Sequence, residues 1–165
     1  MYRAVLGGLA VLFLATGSAA GADEAPTTRN GLFPDEIISC KALEREMESS
    51  LGPLLLDARD KRSYDTLHLK GARLPLSESY YREMDLFKNG IIAKAPDHEK
   101  ALDEAVKDLP RDRSIVTYCN SGCHAGSVLA LRLKQRGLAN VRALDEGLQA
   151  CRSQGLPTES SEKAS

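Results

Sequence analysis

Ser114-Ile115-Val116-Thr117-Tyr118 runs without a break into Cys119-Asn120-Ser121-Gly122-Cys123-His124 and then into Ala125 to Arg136, and this stretch decides the fold. Ile115, Val116 and Thr117 are β-branched and Tyr118 is aromatic, the composition of a buried strand. In the third segment Leu129/Leu133 and Val128/Leu131 recur at helical spacing as candidate buried contacts, and Gly137 provides a C-terminal stop. A strand passing through a short loop into a helix is half of a βαβ unit.

Outward from there, Val141 to Leu144 reads as a last strand, followed by a helix around Leu148 to Arg152. Upstream, His98 to Leu109 places Ala101, Leu102, Ala105, Val106 and Leu109 on one face, with Asp97 as cap and Pro110 as terminator. Pro53 introduces Leu54-Leu55-Leu56-Asp57, an apolar run of the kind buried on both faces of a sheet. Ile37-Ile38-Ser39 leads into a helix carrying Leu43 and Met47, with Ser39 as cap. Ser63 to Leu67 reads as a short helix, and His68 to Ala72 as a turn into a small strand around Arg73 to Leu76. Residues 77–113 exceed a simple connection and contain helix. The alternation predicts an α/β domain with a central, mostly parallel sheet flanked by helices. In such sheets ligands bind beyond the carboxyl ends of the strands, which is where residues 119–124 fall.

The ends read differently. Arg3 followed by the apolar or small run Ala4 to Thr16, with Ser18-Ala19-Ala20 behind it, has the pattern of a cleavable secretory signal over residues 1–20. That run is too short for a comfortable bilayer span. A flexible leader is expected over 21–33, the domain over 34–158 and a disordered polar tail over 159–165. The mature protein is therefore expected to be periplasmic or secreted, with no membrane association after cleavage. Removing residues 1–20 leaves a small negative balance, since only Arg3 is lost from 22 basic residues against 23 acidic ones. Neither nucleic acid nor an anionic membrane is an electrostatically favoured partner. The absence of tryptophan also argues against a base-stacking platform.

The chain holds four cysteines, and spacing alone does not choose their pairing. Cys119 stands at the end of a strand and just before a helix. Backbone N–H groups of the loop and the positive end of the helix dipole favour thiolate over thiol there. Gly122 allows the tight curvature of a cradle, and Ser121 offers a hydroxyl donor. Donors that stabilise a thiolate would equally stabilise a persulfide anion or the oxygens of thiosulfate. Taken alone, Cys119 also fits a buried strand-end cysteine with no chemistry.

Three blocks in order shift that balance. Leu55-Leu56-Asp57-Ala58-Arg59, with Tyr64 and His68-Leu69-Lys70-Gly71-Ala72 ahead of Pro75, is the first. Tyr118 to His124 is the second. Leu144-Asp145-Glu146-Gly147-Leu148-Gln149-Ala150 with Gly155-Leu156-Pro157 is the third. From about Ile38 to Pro157 the chain resembles the rhodanese family, whose single-domain members usually carry Cys-x-x-Gly-x-Arg in the active loop. The resemblance implies a sulfurtransferase, thiosulfate sulfurtransferase-like, with Cys119 as cysteine nucleophile and no cofactor or metal. Cys119 would take sulfane sulfur from thiosulfate or a persulfide donor, hold it as a persulfide and pass it to a thiol or protein acceptor. Residues Asn120, Ser121, Gly122, Cys123 and His124 would form the substrate-binding loop, with Asp57 and Arg59 as a supporting polar pair. His68 would tie a turn, and Tyr64 and Arg73 could rim the pocket. The related cell-cycle phosphatases use a loop one residue longer, whose cationic position would land on Ala125, so a phosphatase is disfavoured. The family topology also sets the first strand beside the last, which would let Cys40 and Cys151 form a structural disulfide.

Two residues depart from the family pattern. His124 stands where arginine is usual, and an imidazole is neither permanently charged nor bidentate. If it supplies the cation, turnover of an anionic donor should rise as pH falls, until Cys119 protonates; otherwise it faces solvent and backbone donors bind the anion. Cys123 is either an incidental occupant of a variable position or a resolving thiol that expels sulfide and closes a loop disulfide. A non-catalytic binding module and a thiol redox protein using Cys119/Cys123 are the alternative functions. Cys119-x3-Cys123-His124 is one residue longer than the haem-attachment pattern, and the strand ahead of it argues against that use. A metal carrier built on Cys119, Cys123 and His124 would need a distant fourth ligand, for which His68 or His98 would have to serve.

Overall fold

In the computed structural model, which describes residues 29–161, the leucine run at 54–56 sends its side chains alternately to the two faces of one sheet. Leu54 and Leu56 join the core on one face with Ile115, Leu129 and Leu133, while Leu55 joins the other with Val116, Tyr118 and Leu148. Burial on both faces explains why β2 (Leu54–Asp57) reads as a continuous apolar run rather than an alternating one. Its partners are β1 (Ile37–Ile38), β4 (Ile115–Tyr118) and β5 (Val141–Leu144), in the order β1-β5-β4-β2 with every pair parallel. The fold is the expected α/β arrangement of a parallel sheet flanked by helices.

The helices start where the sequence offers caps. Ser39 Oγ accepts from Ala42 N at 3.2 Å to open α1 (Cys40–Met47), and Asp60 does the same for α2 (Lys61–Thr66). The 77–113 segment contains α3 (Glu78–Lys88), capped by Ser77, and α4 (His98–Val106), capped by Asp97. After β4 come α5 (Ala125–Gln135) and, beyond β5, α6 (Gly147–Ser153). Among the described residues, no helix is long and apolar enough to cross a membrane.

Several expectations need correction. No strand forms over 73–76; Arg73 makes only an isolated bridge to Leu56. The extra strand is instead β3 (His68–Leu69), paired antiparallel with β6 (Thr158–Glu159). Glu159 and the residues after it, assigned to a disordered tail, are therefore held as far as Ser161, whose N–H donates to Asp65 O at 2.9 Å. At the other end, Leu32 falls within the expected flexible leader but is fully buried in the core, because Arg29 and Leu32 close a turn that folds it inward. α4 ends at Val106 and leaves Ala105 exposed, while Leu102 and Val106 are buried and Ala101 and Leu109 pack against the same core half-buried. Val128 on α5 is 45% exposed rather than buried. The signal segment 1–20, leader residues 21–28 and tail residues 162–165 lie outside the described residues.

Candidate active site

Cys119 follows β4 directly, 6% exposed, at the carboxyl edge of the sheet and ahead of α5. Its position is set by close packing behind it. Thr117 Oγ1 donates to Gly126 O at 2.7 Å, tying the strand to the first turn of the helix. A Cβ on Gly126 would stand 3.1 Å from the Tyr118 backbone, so helix and strand meet with almost no slack.

The loop is fastened along its length. Asn120 Oδ1 accepts from Arg59 Nη1 at 3.3 Å and from Gln149 Nε2 at 2.8 Å. Ser121 N donates to Gln149 Oε1 at 3.0 Å, and the Ser121 hydroxyl donates to Glu146 O at 2.6 Å. Leu148 N donates to the carbonyl of Cys119 at 2.9 Å. The Ser121 hydroxyl, expected as a donor to sulfur, is thus a fastening to the start of α6. Gln149 carries two of these bonds although no functional role was assigned to it from sequence; only its place in the third block pointed to it. Gly122 has φ +75°, the left-handed backbone that its expected curvature requires.

The supporting pair lies underneath. Asp57 is fully buried at the end of β2, and Arg59, with its side chain 7% exposed, donates to it through Nε at 2.9 Å and Nη2 at 2.6 Å. Arg59 Nη2 also donates to Leu67 O at 2.5 Å. Tyr118 accepts from Leu69 N at 3.1 Å, and its phenol is pushed up by burial and by the Asp57 charge. His68 ties its turn through Nδ1, 2.7 Å from Tyr64 O, and stacks on the Tyr64 ring. Tyr64 donates to Ala72 O, and neither it nor Arg73 lines the cavities flanking the loop.

Cys119 and Cys123 are joined as a disulfide, with Cα atoms 5.9 Å apart. The turn that joins them is closed by Cys123 N donating to Asn120 O at 3.1 Å. In this oxidised state neither sulfur is a nucleophile; reduction is needed to free Cys119. Cys123 and His124 are exposed, and the His124 side chain does not cap α5. A recess of about 100 Å³ opens beside the loop, bounded by Cys119, Gly122, Cys123, His124 and Arg29. Arg29 pairs with Asp145 on the same wall, a cation that its place in the polar leader concealed. On the other side of α5 lies a larger cavity of about 890 Å³ between Arg59, Tyr81, Met84 and Val128, which accounts for the exposure of Val128.

Cys40 and Cys151 form a second disulfide between the starts of α1 and the body of α6, both fully buried. A Glu146 carboxylate oxygen lies within 4.8 Å of these two sulfurs, and Glu146 accepts from Cys40 N at 2.9 Å, but sulfurs bonded to one another do not make a metal site. Among the described residues, Cys119, Cys123 and His124 do not gather into a group of potential ligands, with or without a fourth.

Comparison with known proteins agrees with this architecture. The rhodanese-like domain of the Anabaena sp. protein Alr3790, solved in solution, superposes with a TM-score of 0.56 at 24% identity, covering 79% of this chain and 83% of that one. The BH2092 protein of Bacillus halodurans gives 0.56 at 19% identity, over 77% and 78% of the two chains. A thiosulfate sulfurtransferase from Pseudomonas aeruginosa gives 0.52 at 19% identity, covering 75% of this chain and 20% of its own. No curated protein sequence matches the chain. The family model described as rhodanese-like domain matches residues 39–154, from the cap of α1 to the end of α6, and by that match the chain belongs to the rhodanese-like domain family.

Proposed function

We propose that this protein is an exported sulfurtransferase that carries sulfane sulfur as a persulfide on Cys119. The observation that carries the reading is the placement of Cys119: a nearly buried sulfur at the end of a central parallel strand, inside a fastened six-residue loop and ahead of a helix. Once reduced, that sulfur is favoured as thiolate by the helix dipole. It attacks the outer sulfur of thiosulfate, sulfite leaves, and the new S–S bond holds the sulfur on Cys119. A small thiol or protein acceptor then removes it. The thiosulfate sulfurtransferase among the proteins sharing this fold supports that donor class. Export to the periplasm or beyond is supported by the apolar Ala4–Thr16 run with small residues at 18–20, and by a disulfide-forming cysteine complement.

The test is thiocyanate formation from thiosulfate and cyanide by the reduced protein. Turnover that disappears in Cys119→Ser supports the reading. Turnover retained in Cys119→Ser, or absent from both the wild type and Cys123→Ser with thiosulfate and with polysulfide as donor, removes it and favours a binding module.

A further inference from the structure

The loop that encloses Cys119 also brings Cys123 back over it. Gly122 in left-handed conformation and the Asn120–Cys123 turn bond reverse the chain, and the two sulfurs meet while Asn120 and Ser121 remain fastened to α6. Contact between them therefore needs no unravelling of the loop. We propose that Cys123 is a resolving thiol, which makes the protein a reductive sulfide-releasing enzyme. This rests on the Cys119 persulfide reading.

The chemistry balances in three steps. Cys119 thiolate takes the outer sulfur of thiosulfate, giving Cys119 persulfide anion and sulfite. The Cys123 thiol then attacks Cys119 Sγ, forming the Cys119–Cys123 bond and breaking the bond to the sulfane sulfur. That sulfur leaves as hydrosulfide, carrying the Cys123 proton and the electron pair. The two cysteines are oxidised and the sulfane sulfur is reduced to sulfide; no outside oxidant enters. Last, a dithiol reductant restores both thiols and becomes a disulfide itself.

Exposure orders the last step. Cys119 is nearly buried whereas Cys123 is exposed, so the reductant reaches Cys123 Sγ and the mixed disulfide forms there. Cys119 is then the leaving group, and the start of α5, where Ala125 N donates to Cys123 Sγ at 3.4 Å, lies beside the paired sulfurs and favours a thiolate there. Reduction thus delivers the nucleophile already ionised.

A single-turnover experiment separates this from the underlying reading. Wild type and Cys123→Ser are reduced with dithiothreitol, freed of it without oxygen, and given thiosulfate; sulfite, sulfide, protein mass and alkylatable thiols are measured. The wild type is expected to release one sulfite and one sulfide per molecule, lose two thiols and gain no sulfur, whereas Cys123→Ser releases sulfite only and gains about 32 Da. Without thiosulfate the wild type should keep its thiols. A wild type that retains the added sulfur and its thiols, as Cys123→Ser does, overturns the resolving role and leaves the persulfide intact. A wild type that closes the disulfide without releasing sulfide overturns it equally. If Cys123→Ser takes no sulfur from thiosulfate or polysulfide, the persulfide reading fails and the resolving role fails with it.

Discussion

Gly147, at the start of α6, lies against the backbone of the active loop so closely that a Cβ there would stand 2.6 Å from the carbonyl carbon of Asn120 and from Ser121 N. Its φ of +77° adds a second constraint, since L side chains rarely adopt that conformation. Gly147→Ala is expected to cost about 1–2 kcal/mol of backbone strain and about 1–3 kcal/mol of overpacking. The loop should shift with it, and a displacement of about 1 Å slows a positioned reaction roughly a hundredfold. Chemical denaturation and the rate of sulfite release from thiosulfate measure the two effects. A variant that loads sulfur at the wild-type rate would show that the loop does not depend on this contact.

Removing the Arg59 guanidinium strands a fully buried carboxylate at Asp57 and frees Asn120 from one of its two side-chain partners. Arg59→Leu is expected to destabilise by about 3–5 kcal/mol, the range for breaking a buried pair. Asp57→Asn with Arg59→Leu should cost less than Arg59→Leu alone, because the uncompensated charge is gone. Urea unfolding of the single and double variants checks the sign of that difference.

The Cys40–Cys151 disulfide spans 111 residues of chain and ties the start of α1 to α6, the helix that fastens the active loop. Replacing both with alanine should lower stability by about 2–5 kcal/mol. Measured in a Cys119→Ser/Cys123→Ser background, the loss of Tm reports this bond alone. An unchanged Tm would mean the bond does not constrain the unfolded chain.

Glu46 on α1 and Arg142 on β5 meet at 2.8 and 2.5 Å, and the Arg142 hydrogen bonds hold the Glu46 carboxyl below its ordinary range. A carboxylate with a lowered folded pKa adds stability that is fully present above its unfolded value, 4.5, and is lost as pH falls through the folded one. The Glu46 side chain is 37% exposed, so screening limits the pair to about 0.2–1 kcal/mol. Arg142→Met should therefore unfold more easily than wild type at pH 7, with the difference shrinking below pH 4.5. A difference that grows on acidification would contradict the assignment.

The legible parts of the fold are those encoded by neighbours in sequence. Ile115 to Tyr118 is β-branched and aromatic, Leu129 and Leu133 share a helical face, and Ser39 and Asp97 mark helix starts. Cys119 and Asp57–Arg59 were visible for the same reason, since each belongs to one short block. What escaped depends on distant partners. The two-residue strands at His68 and Thr158 have no periodicity to read and exist because they pair across the fold, reinforced by Glu159 accepting from Gly71 N. Leu32 follows a polar stretch in sequence with no periodic apolar partner, and the turn it makes with Arg29 folds it into the core. Val128 keeps helical spacing with Leu131, yet the cavity bordered by α3 and α5 leaves it uncovered. Gln149 fastens the loop through bonds that only the tertiary structure creates.

The most direct test of the central claim is the intact mass of reduced Cys123→Ser after exposure to thiosulfate, beside Cys119→Ser/Cys123→Ser. Cys123→Ser should gain about 32 Da, one sulfur, and the gain should be absent from the double variant. An equal gain in both proteins, or none in either with thiosulfate or polysulfide, would contradict a sulfur carrier on Cys119.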